Sequence, residues 1–99
     1  MRRAARVDAN QSDIVAEFRA RGFSVHLIHQ LKNCADIVVA KNEITAYVEI
    51  KDPAKCPSQR KLTDGELAFK ECWQGLYFVV MTSEDIVEVG NIMRQYRKL

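Results

Sequence analysis

The sequence lacks several features that would assign it to a specialised class of protein. Its three cysteines, Cys34, Cys56 and Cys72, are odd in number and widely spaced, and no Cys-x-x-Cys pair occurs. A zinc knuckle is therefore not expected, and the pattern favours a reducing cytoplasm. No apolar run approaches the roughly 18 residues that a membrane-spanning helix needs, so we expect no membrane association. No apolar segment follows the basic N-terminus, which argues against a secretory signal.

Net charge is also small, at +2, so it says little about partners. Basic residues do gather near both ends of the chain: Arg2, Arg3, Arg6, Arg94, Arg97 and Lys98. Such clusters can bind phosphate backbones, but solvated termini are the favoured interpretation of the clusters alone.

Length and composition predict one globular domain over residues 1–99. The chain is 47% hydrophobic and 28% charged, which is ordinary for a folded protein and argues against disorder. It shows no internal repeat, low-complexity tract or linker. A domain of this size buries only one modest core.

The first half of the chain predicts a helix followed by three strands. Asn10 is a suitable N-cap and Gly22 a suitable stop for the first helix. Phe23–His29 is expected to be a strand. The acid-headed run Asp36–Ala40 and the alternating run Ile44–Lys51 predict two more strands, joined as a hairpin by a short polar connection.

The second half predicts a helix, a strand and a last helix. Thr63 and Glu66 form a capping box that opens a helix running to about Trp73. Leu76–Met81 is continuously apolar and is expected to be a central, buried strand. Ser83 is expected to cap the last helix. The order αβββαβα predicts an α/β sandwich around a mixed sheet.

The hairpin register can be inferred from the hydrophobic pattern. An even-numbered loop places Lys41 opposite Ile44, and continuing this register places Asp36 opposite Glu49. The same register gathers the apolar residues on one face, which supports it independently of the acids. Directly opposed residues have Cβ atoms about 4.5–5.5 Å apart.

Two opposed carboxylates favour a cation between them. Mg²⁺ is held by one or two carboxylates together with waters and substrate phosphate, and it activates water for attack at phosphorus. Lys51 shares the face of Glu49, where it could orient that water or stabilise developing charge. From these residues alone a second interpretation stays open: Glu49 and Lys51 form a solvated strand face, and Asp36 is a turn residue.

The sequence resembles a known superfamily at these residues. An acid leading an apolar strand, followed by Glu49-Ile50-Lys51 at the end of the next, is similar to the PD-(D/E)xK nuclease signature. Flanking segments resemble small phage-encoded proteins akin to its virus-type replication-repair nuclease branch. These segments are Asp8–Gln11 with Ile14, and Pro57–Thr63 with Glu66, Phe69, Trp73 and Gly75.

The resemblance implies a restriction-endonuclease-like fold with a mixed four-stranded sheet flanked by helices. It further implies that Asp36, Glu49 and the Ile50 carbonyl bind Mg²⁺ or Mn²⁺, and that Lys51 acts on the attacking water. Gln11, or less favoured Glu17, matches the position where the superfamily often carries a glutamate. Ala35 replaces the usual proline.

Residues beyond the signature have simpler interpretations beside the functional ones. The resemblance implies that Gln59, Arg60 and Lys61 lie near the substrate phosphates, although they could be loop residues without such a role. The capping box alone explains Glu66. Phe69 and Trp73 are four apart on a helix, so we expect core packing and not base stacking.

Together these features predict a metal-dependent nuclease that hydrolyses DNA phosphodiester bonds, with structure-dependent or non-specific recognition, because a small domain has few side chains to read bases. We expect a homodimer, and the resemblance points to the cytoplasm of a bacterial or phage-infected cell. The alternative is a catalytically inactive DNA-binding accessory module of the same fold.

Overall fold

A computed structural model describes residues 9–96 as a mixed α/β structure with a four-stranded sheet between helices. The element order is the predicted αβββαβα. Several residues used in the sequence analysis lie outside the described range: Arg2, Arg3, Arg6, Asp8, Arg97 and Lys98. Among residues 9–96, no helix has the length and apolar character needed to cross a membrane.

Helix α1 (Gln11–Ala20) begins and ends where the sequence predicts. Gly22 follows it with a positive φ of 91°, which suits a glycine after a helix end. Asn10 occupies the N-cap position, but its side chain does not cap the helix. Its Nδ2 instead donates to the carbonyls of Lys51, at 3.1 Å, and Met81, at 3.3 Å. These bonds attach the start of α1 to the backbone at Lys51 and Met81, each of which directly follows a strand.

Strand β1 (Ser24–Leu27) is shorter than the predicted Phe23–His29. Phe23 is buried and its ring makes an edge contact with Phe18, with centroids 5.1 Å apart. The Leu31 N–H donates to the Ile28 carbonyl at 2.9 Å, which marks a turn. The strand is shorter because the chain enters the core before it and turns away after it.

Strands β2 (Ile37–Lys41) and β3 (Ile44–Ile50) form the predicted antiparallel hairpin. Two residues connect them, Asn42 with φ 54° and Glu43 with φ 71°. Positive φ at both central positions is the signature of a type I′ turn, whose twist matches that of the flanking strands.

The predicted hairpin register is confirmed. Lys41 pairs with Ile44, and the pairing continues to Ile37 and Val48. The apolar residues of both strands consequently share one face. The core on that face contains Ile14, Val15, Phe18, Phe23, Ile37, Val39, Ala46, Val48, Ile50, Val80, Ile86, Val89 and Met93.

Strand β4 (Leu76–Val80) runs parallel to β3 at one edge of the sheet formed by the described residues. The prediction of a central, buried strand is therefore wrong: only Val80 in this strand is buried. Both faces of β4 are apolar because the last helix lies near one face and Phe69 contacts Tyr77 on the other. Each face is only partly covered.

Helix α3 (Ser83–Tyr96) packs with α1 on the core side of the sheet. Ser83 is the first helical residue, so the prediction that it caps the helix is wrong by one position. Thr82 takes that role, because its Oγ1 accepts the Asp85 N–H at 3.4 Å. The Ser83 hydroxyl donates to Glu17 of α1 at 2.6 Å and joins the two helices.

Helix α2 (Asp64–Cys72) begins with the predicted capping box. It contacts the opposite face of the sheet through aromatic side chains. The ring of Phe69 lies 5.3 Å from that of Tyr47, between centroids. None of the nine residues of α2, all within the described range, is buried. This face, called the polar face below, also carries Glu49 of β3 and is only partly covered by α2, in contrast to the core face.

Candidate active site

A cleft of about 670 Å³ opens where β2 begins and β3 ends. Asp36 immediately precedes β2, Glu49 is the next-to-last residue of β3, and Lys51 directly follows β3. All three line the cleft, together with Glu66 of α2. The structure thus brings the three predicted catalytic residues together at one end of the hairpin.

Asp36 is held at the point where backbone pairing between the two strands stops. Its N–H donates to the Val48 carbonyl at 3.1 Å, and its own carbonyl accepts the Ile28 N–H at 2.9 Å. Its carboxylate Oδ2 accepts the Ile50 N–H at 2.7 Å. A side chain therefore replaces a backbone acceptor here, which fixes the carboxylate beside the end of β3.

Glu49 and Lys51 are charged residues with unusually little exposure, 5% and 8% respectively. The Lys51 Nζ lies 3.3 Å from Glu49 Oε2 and 3.0 Å from Glu66 Oε1. The Lys51 N–H donates to the Val80 carbonyl at 3.0 Å, so the strand β4 anchors its backbone. One ammonium group therefore lies within 3.3 Å of two acidic side chains in a nearly enclosed position.

Electrostatics separates the roles of these acids. Burial, with the charges of Asp36 and Glu66, raises the pKa of Glu49 to about 9. Burial would also raise the pKa of Glu66, but hydrogen bonds from Thr63 and Lys51 outweigh it and lower that pKa. Burial would lower the pKa of Lys51, but its bond to Glu66 and the nearby carboxylates raise it. Glu66 thus balances the Lys51 charge, and Glu49 is the acid that retains a proton.

The oxygen donors of the cleft are compatible with a small divalent cation that prefers oxygen ligands. Asp36 and Glu49 provide two carboxylates beside each other, and Mg²⁺ needs only one or two from the protein. Within residues 9–96, no group of three or more His, Cys, Asp or Glu side chains is arranged to hold a metal. The side chain of Ile50 is in the core on the opposite face. A role for its carbonyl as a ligand stays a prediction.

The predicted supporting residue Gln11 lies in a neighbouring cavity of about 500 Å³, which shares Ala9 and His29 with the cleft. It is buried, and its Oε1 has no hydrogen-bond partner among the described residues. The other candidate, Glu17, is engaged elsewhere: it pairs with Arg21 at 2.8 Å and accepts from Ser83.

The predicted phosphate-contacting residues divide into two groups. Gln59, at the end of a 3-10 turn (Pro57–Gln59), lines the cleft. Arg60 and Lys61 follow it but are not part of the cleft lining. Lys55 lines the cleft and was not predicted. The loop therefore brings an earlier basic residue to the cleft than the sequence suggests, and Lys32, which follows β1, lines the cleft as well.

Glu66 and His29 also line the cleft but are not among the predicted site residues. Glu66 was explained by its capping box alone, which is present but does not exhaust its contacts. His29 lies in a turn after β1, where no periodic pattern identifies it. The topology could have identified Glu66. Because β3 and β4 are parallel, the crossover between them brings the start of α2 back to the end of the sheet where Lys51 lies.

Phe69 and Trp73 were expected in the core, and this expectation is wrong. They form an aromatic cluster with Tyr47 and Tyr77 on the polar face of the sheet. Trp73 remains 42% exposed. The reason is that α2 lies against the face that carries the acids, and not against the apolar face.

No family model and no curated protein matches the chain.

Proposed function

We propose that this protein is a metal-dependent nuclease that hydrolyses DNA phosphodiester bonds. The observation that carries the proposal is the convergence of Asp36, Glu49 and Lys51 in one cleft at the end of a two-stranded hairpin. Burying two adjacent acids and an ammonium lowers the stability of a small domain, and such groups are commonly found at reactive sites. Together they suit a reaction in which negative charge develops on a phosphate.

We further propose that the chain adopts a restriction-endonuclease-like fold and belongs to the PD-(D/E)xK nucleases, akin to the virus-type replication-repair branch. The element order and the mixed sheet support this assignment. So does the placement of an acid before one hairpin strand and of Glu-Ile-Lys at the end of the other.

In the proposed reaction, Asp36, Glu49 and the Ile50 carbonyl would hold Mg²⁺ or Mn²⁺. When bound, the cation lowers the pKa of water and neutralises charge on the scissile phosphate. Lys51 stays protonated and donates a hydrogen bond that orients the attacking water or the phosphate oxygen. With a dication held beside it, Glu49 would ionise.

Contacts to DNA come from the loop beside the cleft. Lys55 and Gln59 border the acids and would bind backbone phosphates, with Arg60 and Lys61 further along. The small domain offers few side chains for reading base edges, which favours structure-dependent or non-specific cleavage. A homodimer would present two such clefts to one substrate.

The test is cleavage of supercoiled plasmid with Mg²⁺ or Mn²⁺. Wild type should nick or linearise the plasmid, whereas Asp36→Asn and Lys51→Ala should not. Lys70→Ala is the matched control, since Lys70 is an exposed lysine of α2 outside the cleft lining. Wild type that never cleaves, with either metal, would refute the nuclease.

One observation favours the alternative of an accessory DNA-binding module. Gln11 stands where the resemblance places a glutamate, and it lies in the neighbouring cavity. Retention of DNA by wild type and both active-site variants alike, without cleavage, would support this module.

A further inference from the structure

Glu66 links the start of α2 to the candidate active site. Its N–H donates to Thr63 Oγ1 at 3.2 Å, and its Oε1 accepts the Thr63 N–H at 2.9 Å, which completes the capping box. The same Oε1 also accepts from Lys51 Nζ at 3.0 Å. Helix capping explains the first two bonds but not the third, which crosses from the helix to the sheet.

Lys51 needs such a partner if its ammonium is to have one position. A lysine has four rotatable bonds, so holding it in one rotamer costs side-chain entropy that a fixed partner must offset. Glu49 is a poor permanent anchor, because a bound cation would draw the same carboxylate. Glu66 is already fixed by the capping box, so it offers Lys51 an acceptor that a cation on the other two acids leaves in place.

We propose that Glu66 is a positioning residue, which holds the Lys51 ammonium beside Asp36 and Glu49 through a carboxylate fixed at the start of α2. The contact itself is independent of the reaction. Its consequence for catalysis rests on the proposed function, in which Lys51 orients water or phosphate. Glu66 does not itself touch the reacting atoms.

The capping box allows helix capping to be separated from Lys51 positioning. Glu66→Gln preserves the box, because glutamine serves equally at this position, and it keeps a neutral acceptor for Lys51. Glu66→Ala removes both contacts. Thr63→Ala is the matched control: it removes the capping hydroxyl but leaves Glu66 and the Thr63 backbone N–H.

The first readout is the order of the Lys51 ammonium group in the metal-free protein, measured by ¹⁵N relaxation of its NH₃⁺ signal. The signal is assigned by its loss in Lys51→Ala. We expect an ordered group in wild type, Glu66→Gln and Thr63→Ala, and a mobile group in Glu66→Ala. Thr63→Ala should nevertheless unfold about 5 °C lower, because a helix cap is lost.

The second readout is the kinetics of plasmid cleavage with Mn²⁺. Loss of a residue that only orients another catalytic group typically costs about 10- to 100-fold. We expect this loss in kcat for Glu66→Ala, with KM unchanged, since Glu66 is not among the proposed DNA-contacting residues. Glu66→Gln should recover most of the rate, and Thr63→Ala should keep it.

The outcomes separate the two proposals. An ammonium group that is equally ordered in wild type and Glu66→Ala overturns the positioning role, whether or not DNA is cut. Cleavage by wild type with no loss of kcat in Glu66→Ala also overturns it, and leaves the nuclease intact. A Lys51 released only in Glu66→Ala, in a protein that never cleaves, supports the contact and refutes the proposed function.

Discussion

The buried acid Glu49 should make the metal-free protein less stable than a variant without that acid. Its pKa rises from a usual value of 4.5 to about 9 in the folded protein, through burial and the neighbouring charges of Asp36 and Glu66. The perturbation that tests this is Glu49→Gln, which keeps the shape of the side chain and removes the ionisable proton.

The sign and size follow from proton linkage. Between pH 4.5 and about 9, folded Glu49 binds a proton that the unfolded chain releases. Stability therefore falls as pH rises through this window. At pH 7.5 the solution is three units above the usual pKa of 4.5, and at about 1.4 kcal/mol per unit the cost is about 4 kcal/mol.

We expect Glu49→Gln to raise the free energy of unfolding by about 2 to 4 kcal/mol at pH 7.5, the smaller value allowing for imperfect hydrogen bonding of the amide group in a nearly enclosed site. Near pH 4.5 the difference should shrink below about 1 kcal/mol. The assay is urea unfolding in EDTA, followed by the fluorescence of Trp73, the only tryptophan in the sequence.

A control substitution shows whether any loss of a glutamate has this effect. Glu88 is an exposed residue of α3, and Glu88→Gln should change stability by less than about 0.5 kcal/mol. The reasoning is refuted if Glu49→Gln is less stable than wild type at pH 7.5, or if the two proteins lose stability in parallel as pH rises.

Three further predictions concern the scaffold and use the same unfolding assay, with circular dichroism where tryptophan is removed. Trp73→Ala should lower the free energy of unfolding by about 1 to 3 kcal/mol, because its ring contacts are lost. Val87→Ala, at the same 42% exposure, should lower it by less than about 1 kcal/mol, and equal losses in the two variants would contradict this reasoning. Glu43→Gly should stabilise by about 0.5 to 1 kcal/mol, because glycine adopts positive φ without strain, and destabilisation would count against the type I′ turn. Phe18→Ala, which empties a fully buried site, should cost about 3 to 5 kcal/mol, and a loss under 1 kcal/mol would contradict its place in the core.

The hairpin and the placement of Asp36 beside Glu49 were predictable from the sequence because a strand has a period of two. In β3, alternation separates Val48 and Ile50 from Glu49, so one pattern fixes both the core face and the polar face. The contrast between the faces determines the register, and the register places Asp36 beside Glu49.

Features that depend on how distant segments meet were not predictable in this way. The run Leu76–Met81 has no alternation, so nothing in it distinguishes an edge strand from a central one. The Lys51–Glu66 contact spans a loop of irregular structure, and its local signal is fully accounted for by helix capping. For the same reason, the partly exposed position of Trp73 depends on which face of the sheet α2 covers.

The hairpin also explains why the geometry of the candidate site and the core cannot vary independently. A slip of one residue in the β2–β3 pairing would turn Glu49 toward the core and Val48 toward the cleft. The type I′ turn that sets this register lies about 20 Å from the acids, at roughly 3.4 Å per residue along β3. The core side chains and the turn therefore determine where the carboxylates meet, although neither touches them. Lys51 is fixed differently, by Glu66 of α2 and by the backbone of β4. The site therefore combines two acids placed by the local hairpin with one amine whose position depends on the complete fold.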